Sequence, residues 1–274
     1  MDDNEYGFVK KRINDLLDID LDNYKERQMR RRLTSYLERA NPPDVGTFFN
    51  NVEKEEKMLQ ELKDFLTINV SEFFRDEYQF EKLETVILPE LLENRMKIKF
   101  WSAGCSIGAE PYTLAIMMEE VMPGLAHTIV ATDLDETILK QARAGGPYGQ
   151  QDVRNVSPDR LAMYFRNEDG KYWVIDKIRD KVNFKRHNLL SDPYEQNCDL
   201  ILCRNVVIYF TDTAKSKINR GFCNSLREGG ILFIGGSEII FDAAQIGLGV
   251  AIPSFYRRVP AGTSPKTAKM GPAN

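Results

Sequence analysis

The sequence predicts an α/β protein: an all-helical amino-terminal domain, then a mostly parallel sheet with a small antiparallel insertion. Three observations carry this. Up to about residue 66 apolar residues recur only at helical spacing. Beyond residue 78 short apolar runs alternate with amphipathic stretches, the pattern of strands joined by helical crossovers. Between the second and third of these runs, Asp169-Gly170 followed by Tyr172, Trp173, Val174 and Ile175 reads as a strand leaving a tight turn. A chain of 274 residues, 42% hydrophobic, has enough apolar surface for one large domain or two modest ones.

In the helical part, Phe8, Val9, Ile13, Leu16 and Leu17 form one stripe, and Met29, Leu33, Tyr36 and Leu37 the next. Pro42 and Pro43 end the second helix and Asp44 is placed to cap the third. Phe48, Phe49, Val52, Met58, Leu59, Leu62, Phe65 and Leu66 continue the apolar faces. The second helix gathers Lys25, Arg27, Arg30, Arg31, Arg32 and Arg39 against only Glu26 and Glu38, a face that suits an acidic partner as well as it suits solvent. In the sheet part a helix is expected through Leu92, and the strands at Ile98 to Trp101, Thr128 to Ala131, Val182 to Phe184, Asp199 to Cys203 and Ile231 to Ile234. The antiparallel insertion falls at about 147–180. Ser254 to Val259 is expected as an antiparallel edge strand, and 260–274, small, polar and proline-bearing, as a disordered tail.

Composition excludes several function classes. The longest uncharged stretch, Ala243 to Tyr256, holds two glycines and Pro253 and falls short of the ~20 apolar residues of a membrane span. The opening MDDNEYGFVKKR lacks the order of a secretory leader, so a cytoplasmic protein without membrane insertion is expected. Cys105, Cys198, Cys203 and Cys223 form no C-x-x-C pair and only His127 and His187 could join them, so free buried thiols and no metal site are expected. A net charge of −4 argues against a nucleic-acid partner. Nothing in the sequence demands more than a monomer.

The first expected strand runs into Gly104-Cys105-Ser106-Ile107-Gly108-Ala109-Glu110, a glycine turn that brings a ligand close to backbone N–H groups at a helix start. Ser106 and Ala109 stand where a dinucleotide fingerprint wants glycine, so a nicotinamide cofactor fits poorly. Asp133 closes the second strand, where a carboxylate can accept both hydroxyls of a ribose; Asp135 is available to cap the following helix in its place. An adenosine end without a pyrophosphate points to S-adenosylmethionine. Asn188 and Arg204-Asn205 follow the third and fourth strands at the same rim, where each amide can meet a cofactor or simply satisfy its own turn. Thr67 to Asp76 (TINVSEFFRD) is expected to pack as a pocket wall rather than a plain linker.

In order, TINVSEFFRD, GCSIGAEPY, ATDLD, CRNVVIYF and LREGGILFIGGSE resemble the CheR family of chemoreceptor protein-glutamate O-methyltransferases, over about residues 5 to 259. The resemblance implies a Rossmann-like class I methyltransferase sheet. It divides the chain into a receptor-recognition domain at 1–66, a pocket-lining linker at 67–77, a catalytic domain at 78–259 and the tail. It further implies methyl transfer from S-adenosylmethionine, leaving S-adenosylhomocysteine, to glutamates on the cytoplasmic helical bundle of methyl-accepting chemotaxis receptors, the reaction of chemotactic adaptation. Carried over by motif, the cofactor contacts are Asn69, Ser71, Arg75, Glu110, Asp133, Asn188, Leu189, Asn205 and Val206, with Arg75 and Tyr209 facing the reacting centre. Lys25, Arg27, Arg30, Arg31, Arg32 and Arg39 become the receptor-binding face. Ala109 departs from the family's G-E-E-P-Y loop. The insertion RNEDGKYWVIDKI has a single glycine, so independence from a receptor carboxyl-terminal pentapeptide tether is expected. The competing reading is a non-catalytic S-adenosylmethionine-binding signalling module.

Overall fold

The computed structural model describes residues 1–67, 71–93, 95, 97–125 and 127–260. The chain forms two units, Met1–Ile68 with Val207–Ser216 and Asn69–Val206 with Lys217–Asn274.

In the first unit α1 (Asp3–Leu17) starts at a capping box, in which the Asp2 side chain accepts the Glu5 N–H and the Glu5 side chain accepts the Asp2 N–H. Three more helices follow, α2 (Glu26–Ala40), α3 (Val45–Lys54) and α4 (Glu56–Leu66). As expected, Asp44 caps α3, its carboxylate accepting the Thr47 N–H at 2.8 Å. The apolar stripes meet in a core of Tyr6, Val9, Ile13, Met29, Leu33, Phe48, Phe49, Val52 and Leu62. Phe8 departs from its predicted stripe. It stays 43% exposed and meets Phe49 in an edge-to-face pair, with ring centroids 6.0 Å apart. Residues 207–216 join this unit by backbone bonds from the Lys25 N–H to the Tyr209 oxygen (3.0 Å) and from the Thr211 N–H to the Asn23 oxygen (2.8 Å).

The second unit opens with α5 (Glu77–Lys82), a π-helical turn at Leu83–Ile87 and α6 (Leu88–Leu92). Then come β1 (Lys99–Ala103), α7 (Ala109–Val121), β2 (Thr128–Asp133), α8 (Glu136–Ala144), α9 (Pro158–Tyr164), β3 (Phe165–Glu168) and β4 (Lys171–Val174). The chain continues through α10 (Asp176–Arg179), β5 (Val182–Arg186), β6 (Cys198–Cys203), α11 (Asp212–Ser225), which spans the division between the units, β7 (Leu226–Ile234), β8 (Leu248–Ile252) and β9 (Phe255–Arg258). The main sheet has the order β5-β2-β1-β6-β7-β9-β8, and β5, β2, β1, β6 and β7 run parallel. β1 and β6 are almost wholly buried and carry apolar centres, Phe100-Trp101 and Leu200-Ile201-Leu202, as befits strands covered on both faces. The expected insertion is the separate antiparallel pair β3 and β4, turning at Asp169 and Gly170.

One strand differs from expectation. The segment containing β9 was expected at the sheet edge; instead β9 lies between β7 and β8, and β8 forms the edge. Gly247, Gly249 and Pro253 interrupt the apolar alternation that would have announced β8. All four cysteines are free and buried. Among the described residues no helix is long and apolar enough to cross a membrane.

Candidate cofactor site

The sheet order turns back at β1, with β2 and β5 on one side and β6 and β7 on the other. Connections leaving in opposite directions open a crevice outside the carboxyl ends of the strands, here β1 and β6. After β1, the N–H groups of Gly104 and Cys105 both donate to the Thr132 oxygen, at 2.8 and 2.9 Å, so the glycine turn folds onto the end of β2. Gly104 is required there. Its φ is +82°, and a Cβ would stand 2.5 Å from Val206 Cγ2.

Asp133 ends β2 with both oxygens engaged: Oδ2 accepts the Ser106 N–H at 2.8 Å and Oδ1 the Asp135 N–H at 3.0 Å. Capping of α8 falls to Asp135, which accepts the Thr137 N–H at 2.9 Å. Asp133 is thus spared for the turn and the crevice. Burial raises its pKa, and the N–H groups of Asp135 and Ser106 pull it back. Ser106 itself has φ +49°.

Glu110 lies in the first turn of α7, where the helix amino terminus favours an anion. Oε1 accepts from Ser102 Oγ at 2.7 Å and Oε2 from Arg204 Nη1 at 3.4 Å. Burial raises this carboxyl too, opposed first by the charge of Arg204. The Cys105 thiol is pushed up by burial and then by the charges of Asp133 and Glu110. Arg204 reaches further, donating through Nη2 to the Arg75 backbone oxygen at 2.8 Å and to Asp76 Oδ2 at 2.7 Å. The structure therefore brings Arg75, Glu110 and the end of β6 together.

Asn205, at φ +60°, donates its N–H to Glu238 Oε2 at 3.0 Å. Val206 packs over Gly104. At the end of β5, Asn188 Oδ1 accepts the Leu190 N–H at 3.0 Å, the local turn bond that is the alternative to a ligand contact. The Leu189 oxygen accepts from the Tyr194 hydroxyl at 2.6 Å. Ser71 and Arg75 are half-buried, and Asn69 lies outside the described residues. Tyr209 belongs to the helical unit, the other residues above to the sheet unit.

On α2, Arg27, Arg31 and Arg39 are exposed, whereas Lys25, Arg30 and Arg32 are half-buried. Arg30 pairs with Asp3 and lies 5.1 Å from the Tyr6 ring, and Arg32 donates to the Phe65 backbone oxygen. Lys25 takes the position before the first residue of α2 and contributes no side-chain cap. Sequence reasoning noted Arg204 only as a polar strand end and missed Ser106 and Glu238. The signal for Arg204 was a charged residue directly after the apolar run Leu200 to Cys203.

A mostly parallel sheet that turns back at its first strand and sets two half-buried carboxylates at that rim has the architecture of the Rossmann-like methyltransferase class. Residues 69–248 match the family model "CheR methyltransferase, SAM binding domain" and residues 4–67 the model "CheR methyltransferase, all-alpha domain". The chain is 41% identical to the chemotaxis protein methyltransferase of Listeria monocytogenes over 253 residues, 92% of this chain and 96% of that protein. It is 33% identical to the one of Borreliella burgdorferi over 255 residues, 88% of this chain and 89% of that protein. With chemotaxis protein methyltransferase 1 of Pseudomonas aeruginosa it shares 34% over 223 residues, 76% of this chain and 80% of that protein. The chain belongs to the CheR family of chemotaxis methyltransferases. Its cofactor is S-adenosylmethionine.

The residues at the rim fit that group. Ser106 Oγ and Asn205 Oδ1 are buried without a hydrogen-bond partner among the described residues, on the two loops that flank the crevice. The carboxylates of Asp133 and Glu110 would supply negative charge to a cofactor that carries a sulfonium and an ammonium.

Proposed function

We propose that this protein transfers the methyl group of S-adenosylmethionine to specific glutamate side chains on the cytoplasmic helical bundle of chemoreceptors, forming methyl esters. The observation that carries the reading is the convergence of Asp133, Glu110 and the Arg75 turn at the rim of β1, β2 and β6. When bound, S-adenosylmethionine supplies an electrophilic methyl carbon on a sulfonium. A glutamate with an ordinary pKa of about 4.3 is already ionised at neutral pH, so the protein needs no general base. That agrees with a chain holding only two histidines. What remains is positioning and exclusion of water, which can lower a bimolecular barrier by roughly 7–11 kcal/mol.

In this reading Asp133 accepts the ribose hydroxyls and Glu110 meets the ammonium group. Arg75 pairs with a carboxylate through its forked guanidinium, and Tyr209 offers a hydroxyl beside the reacting centre. Asn69, Ser71, Asn188, Leu189, Asn205 and Val206 complete the contacts. The exposed arginines of α2 steer the enzyme to glutamate-rich receptor helices. Tether independence is supported by the size of the insertion, whose two strands are four residues each.

The test is incubation with methyl-labelled cofactor and receptor cytoplasmic fragments. Base-labile label on the receptor supports the reading. Cofactor binding without any transfer would make the protein a non-catalytic module.

A further inference from the structure

We propose that Arg204 is a positioning residue for this site, a single buried guanidinium that holds the turn presenting Arg75 and, from its other side, the Glu110 carboxylate. The inference rests on the reading of residues 75 and 110 as cofactor contacts and adds how they are kept in register.

The turn needs holding. Phe74 at φ +51° and Asp76 at φ +63° flank Arg75, so two L-residues in the left-handed region stand on either side of the functional one. Such conformations persist only where the surroundings over-determine them. On the amino-terminal side, the Phe73 N–H donates to the Asp152 oxygen (2.9 Å) and the Phe74 N–H to Thr113 Oγ1 (3.1 Å), while the Arg160 guanidinium sits 4.4 Å from the Phe74 ring. On the carboxyl-terminal side Arg204 makes the bonds to the Arg75 oxygen and to Asp76.

Arg204 is itself locked. Its side chain is 2% exposed, with the rings of Phe80 and Phe233 5.0 and 4.8 Å from the guanidinium carbon. Those rings fix the plane of the fork, and the plane decides that Nη2 meets the turn while Nη1 meets Glu110. A lysine in this place is one point charge on a flexible stem and cannot reach both partners and the backbone oxygen together. The pair also bridges the crevice, since Glu110 follows β1 and Arg204 follows β6. Around Glu110 the charged and titratable groups are Arg204 and Arg75, with the thiols of Cys105 and Cys203. Arg204 is first among those that keep Glu110 ionised.

The full-length protein and its Arg204→Gln and Arg204→Lys variants decide this. In unliganded protein, carbon-13 NMR follows the titration of Glu110 and hydrogen exchange follows the amides of 73–77. Calorimetry gives S-adenosylhomocysteine affinity at pH 6 and pH 8. Arg204→Gln should move the Glu110 titration to higher pH, speed exchange at 73–77 and weaken affinity at least tenfold more at pH 6 than at pH 8. Arg204→Lys should leave the Glu110 titration near the wild-type position, yet speed exchange at 73–77 and weaken affinity equally at both pH values. Wild-type exchange at 73–77 in the lysine variant overturns the proposal, and that variant suffices should the glutamine one fail to fold. A wild-type protein that does not bind S-adenosylhomocysteine overturns the cofactor reading instead, because the exchange and titration experiments use no ligand.

Discussion

The Ser106 N–H donates to Asp133 Oδ2 at 2.8 Å, tying the glycine turn after β1 to the carboxyl end of β2. The Asp135 N–H occupies the other oxygen, and in the proposed reading the acceptor capacity left on the carboxylate takes the ribose hydroxyls. Asp133→Asn keeps the volume and turns one acceptor into a donor that opposes an N–H or a hydroxyl. Hydrogen bonds to a charged group contribute about 1.5–3 kcal/mol, so S-adenosylhomocysteine affinity should fall about 10- to 100-fold by calorimetry. Unchanged affinity would remove Asp133 from the ribose.

Acidification should separate cofactor binding from folding. Glu110 is raised above the ordinary glutamate value chiefly by burial, so folding favours its neutral form. Its contribution to stability is present below the unfolded pKa and is lost as pH rises through the folded one. Recognition of an ammonium runs the other way and needs the ionised form. S-adenosylhomocysteine affinity should therefore be level near neutrality and decline on acidification, beginning above the ordinary carboxylate range, with a slope approaching tenfold per pH unit. Glu110→Gln should bind weakly, with Asp133, also raised by burial, left as the source of any slope. An identical profile in that variant would acquit Glu110.

The central parallel strands are the most legible part of this fold, because strands buried on both faces carry short apolar runs such as Leu200-Ile201-Leu202. Asp44 and Asp169-Gly170 were equally readable, since a cap and a hairpin turn are local chemistry. β8 was hidden by Gly247, Gly249 and Pro253, which look like a loop until β9 supplies a partner. The exposure of Phe8 was hidden because a helical stripe does not say how wide the neighbouring helices are. Arg204 shows the harder limit. Its partners Glu110 and Asp76 stand 94 and 128 residues away, and nothing in CRNVVIYF says where the guanidinium points. Ser106 hides for another reason: its left-handed backbone follows from the turn closing on Thr132, not from its own preference.

Gly104 gives a stability test of that turn. An alanine there takes a left-handed conformation, and its Cβ would lie 2.5 Å from Val206 Cγ2. The conformation costs about 1–2 kcal/mol and the overpacking about 1–3 more. Gly124 has φ +77° with nothing within 4 Å of a Cβ, so Gly124→Ala should cost only the first of these. Denaturant unfolding should rank Gly104→Ala below Gly124→Ala by at least 1 kcal/mol. Only the former should also weaken S-adenosylhomocysteine. Equal losses would mean that the Val206 contact relaxes away.

The proposed function makes Arg75 and Tyr209 orienting groups, and on that reading replacing either should act on turnover more than on affinity. Tyr209→Phe removes one hydroxyl and keeps the ring. A tenfold or greater drop in the rate of receptor methyl-ester formation is expected, with S-adenosylhomocysteine affinity within twofold of wild type. Arg75→Lys keeps a charge but loses the fork, and should lower turnover by a similar factor while weakening the cofactor severalfold. Loss of affinity without loss of rate at saturating cofactor would move either residue from the reacting centre to simple binding.

The basic face of α2 divides into residues free to meet a partner and residues that hold the helix. Arg32 is half-buried, donates to the Phe65 oxygen and lies 4.9 Å from the Phe65 ring, and burial lowers its pKa. Arg32→Glu should therefore lower the melting temperature by several degrees. Arg31 is exposed, so Arg31→Glu should leave the melting temperature and cofactor affinity unchanged. Its effect belongs to association with an acidic receptor helix, where a rim charge acts on the on-rate and is screened by salt. Methylation of receptor fragments at subsaturating concentration should fall severalfold in Arg31→Glu at 50 mM salt, and the gap from wild type should narrow at 500 mM. A gap that stays constant across that range would assign Arg31 a contact desolvated in the complex rather than steering.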